Sequence, residues 1–300
     1  MLDFRQSLIN STLNRVLKRL HYPLEVMLTC VRWYVAYPLS LRHVEDMMQE
    51  RGVFVDHSTV HRWAIKVLPV MAAVCRKRKR PVGLNWRMDE TYIKIAGKWK
   101  YLYRAVDRAG DTVDFLLTAK RDKAAARRFL ERAINLHGVP EKITIDKSGA
   151  NTAAIESVKA DACVDILMRQ NKYLNNIVEQ DHRAVKRVTG PMLGFESFWS
   201  ARILIAGIET MHMIKKGQMD CPGGQTMFAA NQFYSLAARS SGQPAALFGL
   251  TPLLRQNQCL RGIARSIALR TSLAHVFFSS KRPSAPRAKF LIAIRLRPPS

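Results

Sequence analysis

The sequence predicts an α/β protein in which a mixed sheet flanked by helices follows an all-α domain with a helix-turn-helix. Three apolar stripes at helical spacing, each ended by Pro or Gly, lie between residues 23 and 69. A run rich in aromatic and β-branched residues then extends from Trp86 to Thr118 and is interrupted by two short turns. Short apolar strands alternate with helical segments after that run, which is typical of a sheet covered by helices.

The net charge of the chain narrows the class of partner. The 300 residues include 48 Lys or Arg and 23 Asp or Glu, which gives a formal charge of +25. A solvated surface does not require such an excess, so we expect a polyanionic partner, above all nucleic acid. An anionic membrane surface is the weaker alternative, because no basic amphipathic helix stands alone.

Other features of the composition argue against whole classes of protein. No apolar run approaches the roughly 20 residues that a membrane span needs. The segment 1–18 is polar and lacks the apolar core of a signal peptide, so we expect none. The five cysteines are scattered and do not show the spacing of a zinc site, so reduced thiols in the cytoplasm are expected.

The helical domain is assigned to residues 1–75. Residues that cap or break helices mark its elements: Pro23, Pro38, Ser40, Gly52, Asp56 or Ser58, and Pro69. Helix, short turn with Gly, and helix form the helix-turn-helix pattern, although a three-helix bundle with a polar surface has the same pattern. The third helix carries side chains suited to phosphates and base edges: Ser58, Thr59, His61, Arg62 and Lys66.

A basic linker is assigned to residues 76–84, which could lie along a phosphate backbone or be solvated. The sheet domain follows at residues 85–218. A basic tail at 219–300 is expected to be poorly ordered, because Gly, Pro and Ser are frequent and no Asp or Glu occurs from Cys221 onward. The tail is either a nucleic-acid-binding extension or, beyond about residue 240, not a selected folding unit.

The sheet begins with three antiparallel strands joined by turns at Ala96-Gly97 and at residues 107–111. Asp89 lies inside the first strand, where a carboxylate is costly unless a cation or a proton compensates it. Alternatively, Asp89 is on an edge strand and faces water. A later strand, 142–145, ends directly before Asp146, and a helix beginning near Ile177 carries Glu179 in its first turn.

Three carboxylates could therefore converge. In a ribonuclease H-like sheet the first and fourth strands are neighbours and a later helix packs over their ends, which would bring Asp89, Asp146 and Glu179 together. Such a pocket binds divalent cations through hard oxygen ligands, and two Mg²⁺ ions can support an in-line phosphoryl displacement. The helix also carries cations on the face of Glu179: Arg183, Lys186 and Arg187.

Alternatives remain for this helix and for two further carboxylates. The helix has the pattern of an ordinary surface helix with salt bridges as well as that of a metal and phosphate site. Glu90 follows Asp89, but the alternation of a strand directs it to the opposite face. Asp181 is two residues after Glu179 and lies off its helical face, so neither is assigned to the pocket.

The sequence resembles the DDE transposases of bacterial insertion sequences, and the insertion-sequence-six family in particular. The motifs that carry the resemblance are Val31-Arg32-Trp33-Tyr34, Arg51-Gly52-Val53, residues 56–63 (DHSTVHRW), 88–94 (MDETYIK), Trp99 with 101–107 (YLYRAVD), Thr144-Ile145-Asp146-Lys147, 175–182 (NNIVEQDH) with Lys186-Arg187, and Gly194-Phe195-Glu196-Ser197 leading to 215–218 (KKGQ). Together they cover roughly residues 20–240. Their order along the chain is far more specific than any one of them.

The resemblance implies a ribonuclease H-like fold, the catalytic and metal-binding triad Asp89, Asp146 and Glu179, and two Mg²⁺ or Mn²⁺ ions. It implies that Lys186 contacts DNA, and Arg187 is expected to position phosphates beside it. The expected partners are terminal inverted repeats, target DNA and further copies of the chain in a homodimer or larger oligomer, without a membrane. The expected location is the bacterial cytoplasm, in association with the nucleoid.

Three functions remain as hypotheses. The first is a DNA transposase that cleaves strands at the ends of an insertion sequence and transfers them to a target. The second is a catalytically decayed transposase that acts only as a sequence-specific DNA-binding protein or regulator. The third is a metal-dependent nuclease that cleaves DNA without joining it.

Overall fold

The protein is described from a computed structural model that covers residues 11–17, 22–146, 148–171, 176–220 and 227–238. A five-stranded mixed sheet has the order β3-β2-β1-β4-β5. Strands β1, β2 and β3 are antiparallel neighbours, and β4 is parallel to both β1 and β5. This is a ribonuclease H-like sheet, as the sequence predicts. The strands are β1 Asn85–Ile95, β2 Lys98–Val106, β3 Thr112–Thr118, β4 Lys142–Ile145 and β5 Leu167–Gln170.

The first hairpin turns where the sequence indicates. Ala96 and Gly97 both have positive φ angles, of 47° and 74°. Positive φ at both central residues is the backbone of a type I′ turn, whose twist matches that of the strands it joins. Glycine adopts this conformation without a steric penalty, and the turn fixes the register that places Asp89 opposite Arg104.

Helices cover both faces of the sheet. Their bounds are α1 Ser11–Leu17, α2 Leu24–Ala36, α3 Leu41–Gln49, α4 His57–Lys77, α5 Lys123–His137, α6 Gly149–Ala162, α7 Asn176–Thr189, α8 Phe198–Lys215 and α9 Ala229–Ala237. Trp86 and Met88 of β1 pack with Phe129 of α5 and Ile155 of α6 in one apolar core. Side chains alternate along a strand, so Asp89 points to the opposite face, where α7 packs.

The N-terminal helices begin at the residues that the sequence indicates. The side chain of Ser40 accepts a hydrogen bond from the His43 N–H, and that of Asp56 accepts one from the Ser58 N–H. The expectation that Pro69 ends the third helix is wrong, because α4 continues through it to Lys77. Pro69 is exposed, so the carbonyl that loses its hydrogen bond can be solvated while the apolar face continues.

The helical segment and the sheet domain belong to one compact unit. Helix α4 packs along α8, and their closest approach is at Gly207, where an added Cβ atom would lie 2.7 Å from the side chain of Leu68. A glycine is therefore needed at this crossing unless Leu68 moves. The predicted domain boundary at residue 75 falls inside this continuous helix.

The segment assigned as a linker is bound to the sheet domain instead of being free. Arg80 donates its backbone N–H to the Gln218 carbonyl, and the Arg78 carbonyl accepts from Asp220. The Lys79 ammonium donates to the Val113 carbonyl at 2.6 Å. Burial lowers the pKa of Lys79 to about 8. The side chains of Arg76, Lys77 and Arg80 nevertheless remain exposed.

The predicted tail contains an ordered helix near its start. In α9 the side chains of Phe233 and Leu236 are buried, and the Tyr234 hydroxyl accepts a hydrogen bond from Arg32 of α2 at 3.0 Å. The expectation of poor order from residue 219 is therefore wrong for residues 227–238. Residues 221–226 and 239–300 of the predicted tail lie outside the described residues. Within the described ranges, no helix combines the length and apolar character required to cross a membrane.

Candidate active site

The sheet brings Asp89 and Asp146 side by side. Strands β1 and β4 pair in parallel, and their register runs from Asn85 opposite Lys142 to Arg87 opposite Thr144. The same register continued by two residues places Asp89 opposite Asp146, which directly follows β4. Neighbouring parallel strands lie about 4.8 Å apart, so the two carboxylates share the edge where the β4 strand ends.

Glu179 reaches this edge from α7. It is exposed in the first turn of the helix, whose inner face is buried against the sheet. Burial raises the pKa of Asp89 to about 7, and the negative charges of Glu90, Asp146 and Glu179 add to that effect. Asp146 and Glu179 therefore lie close enough to Asp89 for their charges to act on its carboxyl group.

The carboxylates fit a divalent cation in their chemistry. One oxygen of Asp146, Oδ1, is buried without a hydrogen-bond partner. A buried anionic oxygen without a partner beside a second carboxylate of raised pKa is a site of unbalanced negative charge. Hard cations such as Mg²⁺ bind carboxylate oxygens and would balance this charge.

Asp89, Asp146 and Glu179 are not the most closely spaced group of potential metal ligands. Among the described residues, Glu45, Asp56 and His57 are the one set whose ligand atoms all lie within 4.8 Å of one another. That set is explained by helix geometry, because Glu45 accepts hydrogen bonds from the backbone N–H of His57 at 3.2 Å and pairs with its ring at 2.9 Å. It joins α3 to the start of α4.

His182 lies beside the carboxylates and was not singled out by the sequence. Its Nδ1 atom is 3.6 Å from Oδ2 of Asp89, and its Nε2 atom is buried without a hydrogen-bond partner. Burial, together with the charges of Arg104 and Lys186, lowers the pKa of His182 to about 3. The imidazole is therefore neutral at physiological pH and packs against Asp89 without neutralising it.

A buried ionic cluster, defined by Arg104, Asp181, Glu209, His212 and Lys216, anchors the helix of Glu179. Asp181 accepts hydrogen bonds from His212 at 3.1 Å and from Lys216. Arg104 Nη2 lies 3.2 Å from Asp181 Oδ2 and 2.8 Å from Glu209 Oε2. Burial opposes ionisation of Asp181, but these partners outweigh it and lower its pKa to about 2. Asp181 thus ties α7 to β2 and α8.

Glu90 lies on the opposite face of the sheet, as the strand alternation predicts. Its carboxylate forms an ion pair with Arg121 and accepts a hydrogen bond from Asn151 at 2.9 Å. Asn151 is in the first turns of α6, shortly after Asp146. Glu90 therefore secures the connection that follows the β4 strand and does not enter the carboxylate pocket.

Lys186 and Arg187, the two predicted phosphate contacts on α7, have different surroundings. Lys186 is exposed and lines a cavity with Tyr92 and Trp99 of the first hairpin. Arg187 is also exposed, but it lies beside Ala36 of α2 and Lys215 of α8. Only Lys186 thus faces the side of α7 that leads to the carboxylates.

The predicted DNA-contact residues of α4 are also divided. Ser58, Arg62 and Lys66 are exposed at helical spacing, whereas Thr59 and His61 are half-buried. The Arg62 guanidinium donates to the Thr59 hydroxyl at 2.8 Å. Ser58 and His61 line a cavity that also includes the Ala96-Gly97 turn and Glu196. The start of α4 therefore faces the first hairpin of the sheet as well as solvent.

The raised pKa of Asp89 predicts how stability depends on pH. In the unfolded chain this carboxyl ionises near 3.8, and in the folded protein near 7, so the folded state retains the proton between these values. Stability contributed by Asp89 therefore falls as pH rises from about 4 to about 7 and is constant above that. We expect Asp89→Asn to gain stability over the unaltered protein across this range in metal-free buffer.

Thermal unfolding at a series of pH values with EDTA measures this difference. Added Mg²⁺ is expected to reduce the stability difference between Asp89→Asn and the unaltered protein at pH 8, because the cation favours the ionised carboxylate. A difference between the two proteins that is the same at pH 4 and pH 8 would contradict the prediction.

Comparisons with known proteins agree with the geometry. A family model described as a DDE domain matches residues 83–218. The transposase for the insertion sequence-like element IS431mec of Staphylococcus aureus is 39% identical over 194 residues, which are 64% of this chain and 85% of that protein. The transposase for insertion sequence element IS257 in transposon Tn4003, also of Staphylococcus aureus, is 38% identical over 194 residues, which are 64% of this chain and 85% of that protein.

Solved structures of lower similarity include retroviral integrase cores. The catalytic core domain of BIV integrase is 16% identical with a TM-score of 0.35, over 52% of this chain and 93% of that one. The HTLV-2 integrase catalytic core domain in complex with magnesium is 16% identical with a TM-score of 0.30, over 56% of this chain and 98% of that one.

The chain is similar to these transposases across most of their length, and the DDE domain spans the sheet. This chain belongs to the insertion-sequence-six family of DDE transposases.

Proposed function

We propose that Asp89, Asp146 and Glu179 are the catalytic carboxylates of this DNA transposase and that they hold two Mg²⁺ or Mn²⁺ ions. Family membership implies dependence on a divalent metal. The single observation that carries the assignment is the buried, unpartnered Oδ1 of Asp146 next to Asp89, whose pKa is raised to about 7. Both features are those of carboxylates whose charge a bound divalent cation would balance.

The reaction consists of two phosphoryl displacements. Water attacks a phosphodiester at the element end, the bond to the 3′ oxygen breaks, and that oxygen leaves as a 3′-hydroxyl. The hydroxyl then attacks a phosphodiester of target DNA, loses its proton, and displaces the target 3′ oxygen. Bound divalent ions would activate the attacking oxygen and stabilise the leaving oxygen.

The chain itself supplies positioning and charge. Asp89 and Asp146 are fixed by neighbouring strands, whereas Glu179 is oriented by a helix that the buried ionic cluster anchors. Arg183 and Lys186 are exposed one and two turns beyond Glu179, where they would bind phosphates of the strand that leads away from the reacting one. His182 packs against Asp89 and excludes water from that side.

Duplex recognition is assigned to the helical segment. Ser58, Arg62 and Lys66 form the exposed face of α4 and would contact the terminal inverted repeats, with Thr59 and His61 at its margin. The other expected partners are target DNA and further copies of the chain, in a homodimer or larger oligomer. The expected location is the bacterial cytoplasm, in association with the nucleoid.

A strand-transfer assay tests this function against its rivals. The full chain is incubated with a labelled duplex that ends in the terminal repeat of its element and with a target plasmid. We expect joined products with Mg²⁺ or Mn²⁺ and none with EDTA. Cleaved ends without joined products would indicate a nuclease, and binding without either product would indicate a decayed regulator.

A further inference from the structure

A cavity lies beside the first hairpin, between β1 and the end of α7. Its volume is about 620 Å³, within the range of about 300–1,000 Å³ that is typical of small-ligand sites. The pairing of β1 with β4 ends at Arg87, and further along β1 Ile95 pairs with Phe195 instead. The Ala96 N–H donates to the Phe195 carbonyl at 2.7 Å, which holds the segment of Phe195 against the strand.

Exposed aromatic rings form one wall of the cavity. Trp99 is 61% exposed and Tyr92 is 46% exposed, although both lie on paired strands of the sheet. Their ring centroids are 6.4 Å apart in an edge-to-face arrangement. Tyr101 supports Tyr92 from the other side at 5.3 Å. The indole of Trp99 is therefore held in place while a large part of its surface remains free for contact.

The charge of the cavity selects an anionic occupant. The described residues that line it include Lys94 and Lys186, both exposed, and no carboxylate. An apolar wall of aromatic rings between cations is the arrangement by which proteins bind single-stranded nucleic acid, with bases on the rings and phosphates on the cations. A protein partner would instead require acidic side chains to match the lysines.

The position of the cavity relates it to the catalytic carboxylates. Lys186 follows Glu179 by seven residues, which is about 10 Å along a helix. Tyr92 follows Asp89 by three residues, which is about 10 Å along the strand, and the alternation of β1 places its side chain on the face of Glu90. The cavity therefore lies at the edge of β1, between that face and the face on which α7 carries Lys186.

We propose that this cavity binds an unpaired nucleotide of the DNA substrate, with its base stacked on Trp99. Lys94 and Lys186 contact the phosphates beside that nucleotide. The base must be unpaired because both faces of a base inside a duplex are already covered by its neighbours. The proposal rests on the proposed function as a transposase that acts on DNA.

The test compares Trp99→Ala with a matched tryptophan variant. Trp199→Ala removes an indole that is 56% exposed but lies outside the residues that line the cavity. The probes are a short oligothymidylate with one 2-aminopurine, whose fluorescence is quenched by stacking, and a blunt duplex of the same length. We expect Trp99→Ala to lower affinity for the oligothymidylate about tenfold and to abolish the quenching, with little change for the duplex.

Trp199→Ala is expected to bind both probes as the unaltered chain does, and Trp99→Phe to retain part of the quenching. Equal losses on both probes, or no loss on either, would overturn the proposal. So would a fall in oligomer mass by sedimentation with unchanged oligothymidylate affinity, because the aromatic wall would then be an interface between copies.

The result is separable from the catalytic assignment. Quenching by the full chain is measured without metal and needs no reaction, whereas strand transfer needs the carboxylates. If strand transfer fails but quenching still depends on Trp99, the reaction centre is wrongly assigned and the nucleotide site stands. If strand transfer proceeds and Trp99 has no effect on quenching, only the nucleotide site is wrong.

Discussion

Asp146→Asn is expected to lower strand transfer by at least about a thousandfold while leaving DNA binding unchanged. Divalent metal ions supply several kcal/mol of transition-state stabilisation, and about 4 kcal/mol corresponds to a thousandfold in rate. Asn has the shape of Asp but offers a neutral, weaker oxygen ligand. Because Asp146 is at the end of the β4 strand and its Oδ1 has no partner in the described structure, the change breaks no hydrogen bond there.

The matched control is Asp165→Asn, which makes the same chemical change at a fully exposed carboxylate in a surface ion pair with Lys159. Surface pairs of this kind contribute about 0–1 kcal/mol, so neither stability nor transfer should change measurably. Both variants are compared in the strand-transfer assay and in duplex binding. Transfer by Asp146→Asn at the control's rate would contradict the assigned reaction centre.

The second large effect concerns stability. We expect Arg104→Met to lower the free energy of unfolding by about 3–5 kcal/mol, because removing one partner leaves buried charge uncompensated. The Arg104 side chain is fully buried, and its guanidinium lies within ion-pair distance of both Asp181 and Glu209. Met preserves most of the volume, so the loss reports the charge and not a cavity.

Arg108→Met is the control, since Arg108 is exposed in the turn after β2. Urea unfolding of the metal-free proteins measures the difference. Adding Glu209→Gln to Arg104→Met should recover part of the lost stability, since it neutralises the buried carboxylate that loses its ion pair with Arg104, whereas Asp181 keeps His212 and Lys216. A loss below about 1 kcal/mol for the single variant would show that the cluster contributes little.

Much of the candidate site could be predicted because local signals place each carboxylate. Asp89 interrupts an apolar strand, Asp146 directly follows another, and Glu179 is in the first turn of a helix. The parallel pairing of β1 with β4 is part of the ribonuclease H-like strand order. The resemblance to DDE transposases implies that order, whereas local sequence patterns do not determine it. Register then places Asp89 opposite Asp146 without further information.

The groups that support the site could not be predicted in the same way. Asp181 was correctly placed off the face of Glu179, but its partners His212 and Lys216 are on another helix more than thirty residues later. Their contact depends on how α7 and α8 cross, which periodicity does not determine. The contact of His182 with Asp89 could not be predicted either, because a single histidine on a helix face does not indicate which residue it will contact.

Composition was a poor guide in two places. The basic run predicted to be an exposed linker forms backbone hydrogen bonds to residues 218–220, and its Lys79 is half-buried. Pro69 suggested a helix end, but Met71 and Cys75 continue the buried face of α4 beyond it. In both cases packing with distant residues outweighs a local preference.

The packing of α4 along α8 has a consequence for the length of DNA that the protein can act on. The helix that carries Ser58 and Arg62 at one end packs against α8 of the sheet domain, and Gly207 allows Leu68 to approach closely. The segment assigned to reading the repeat and the segment assigned to cutting beside it therefore keep a set separation. Each subunit would measure a fixed number of base pairs from repeat to cut, and elements whose ends are displaced from that spacing would go unrecognised as substrates.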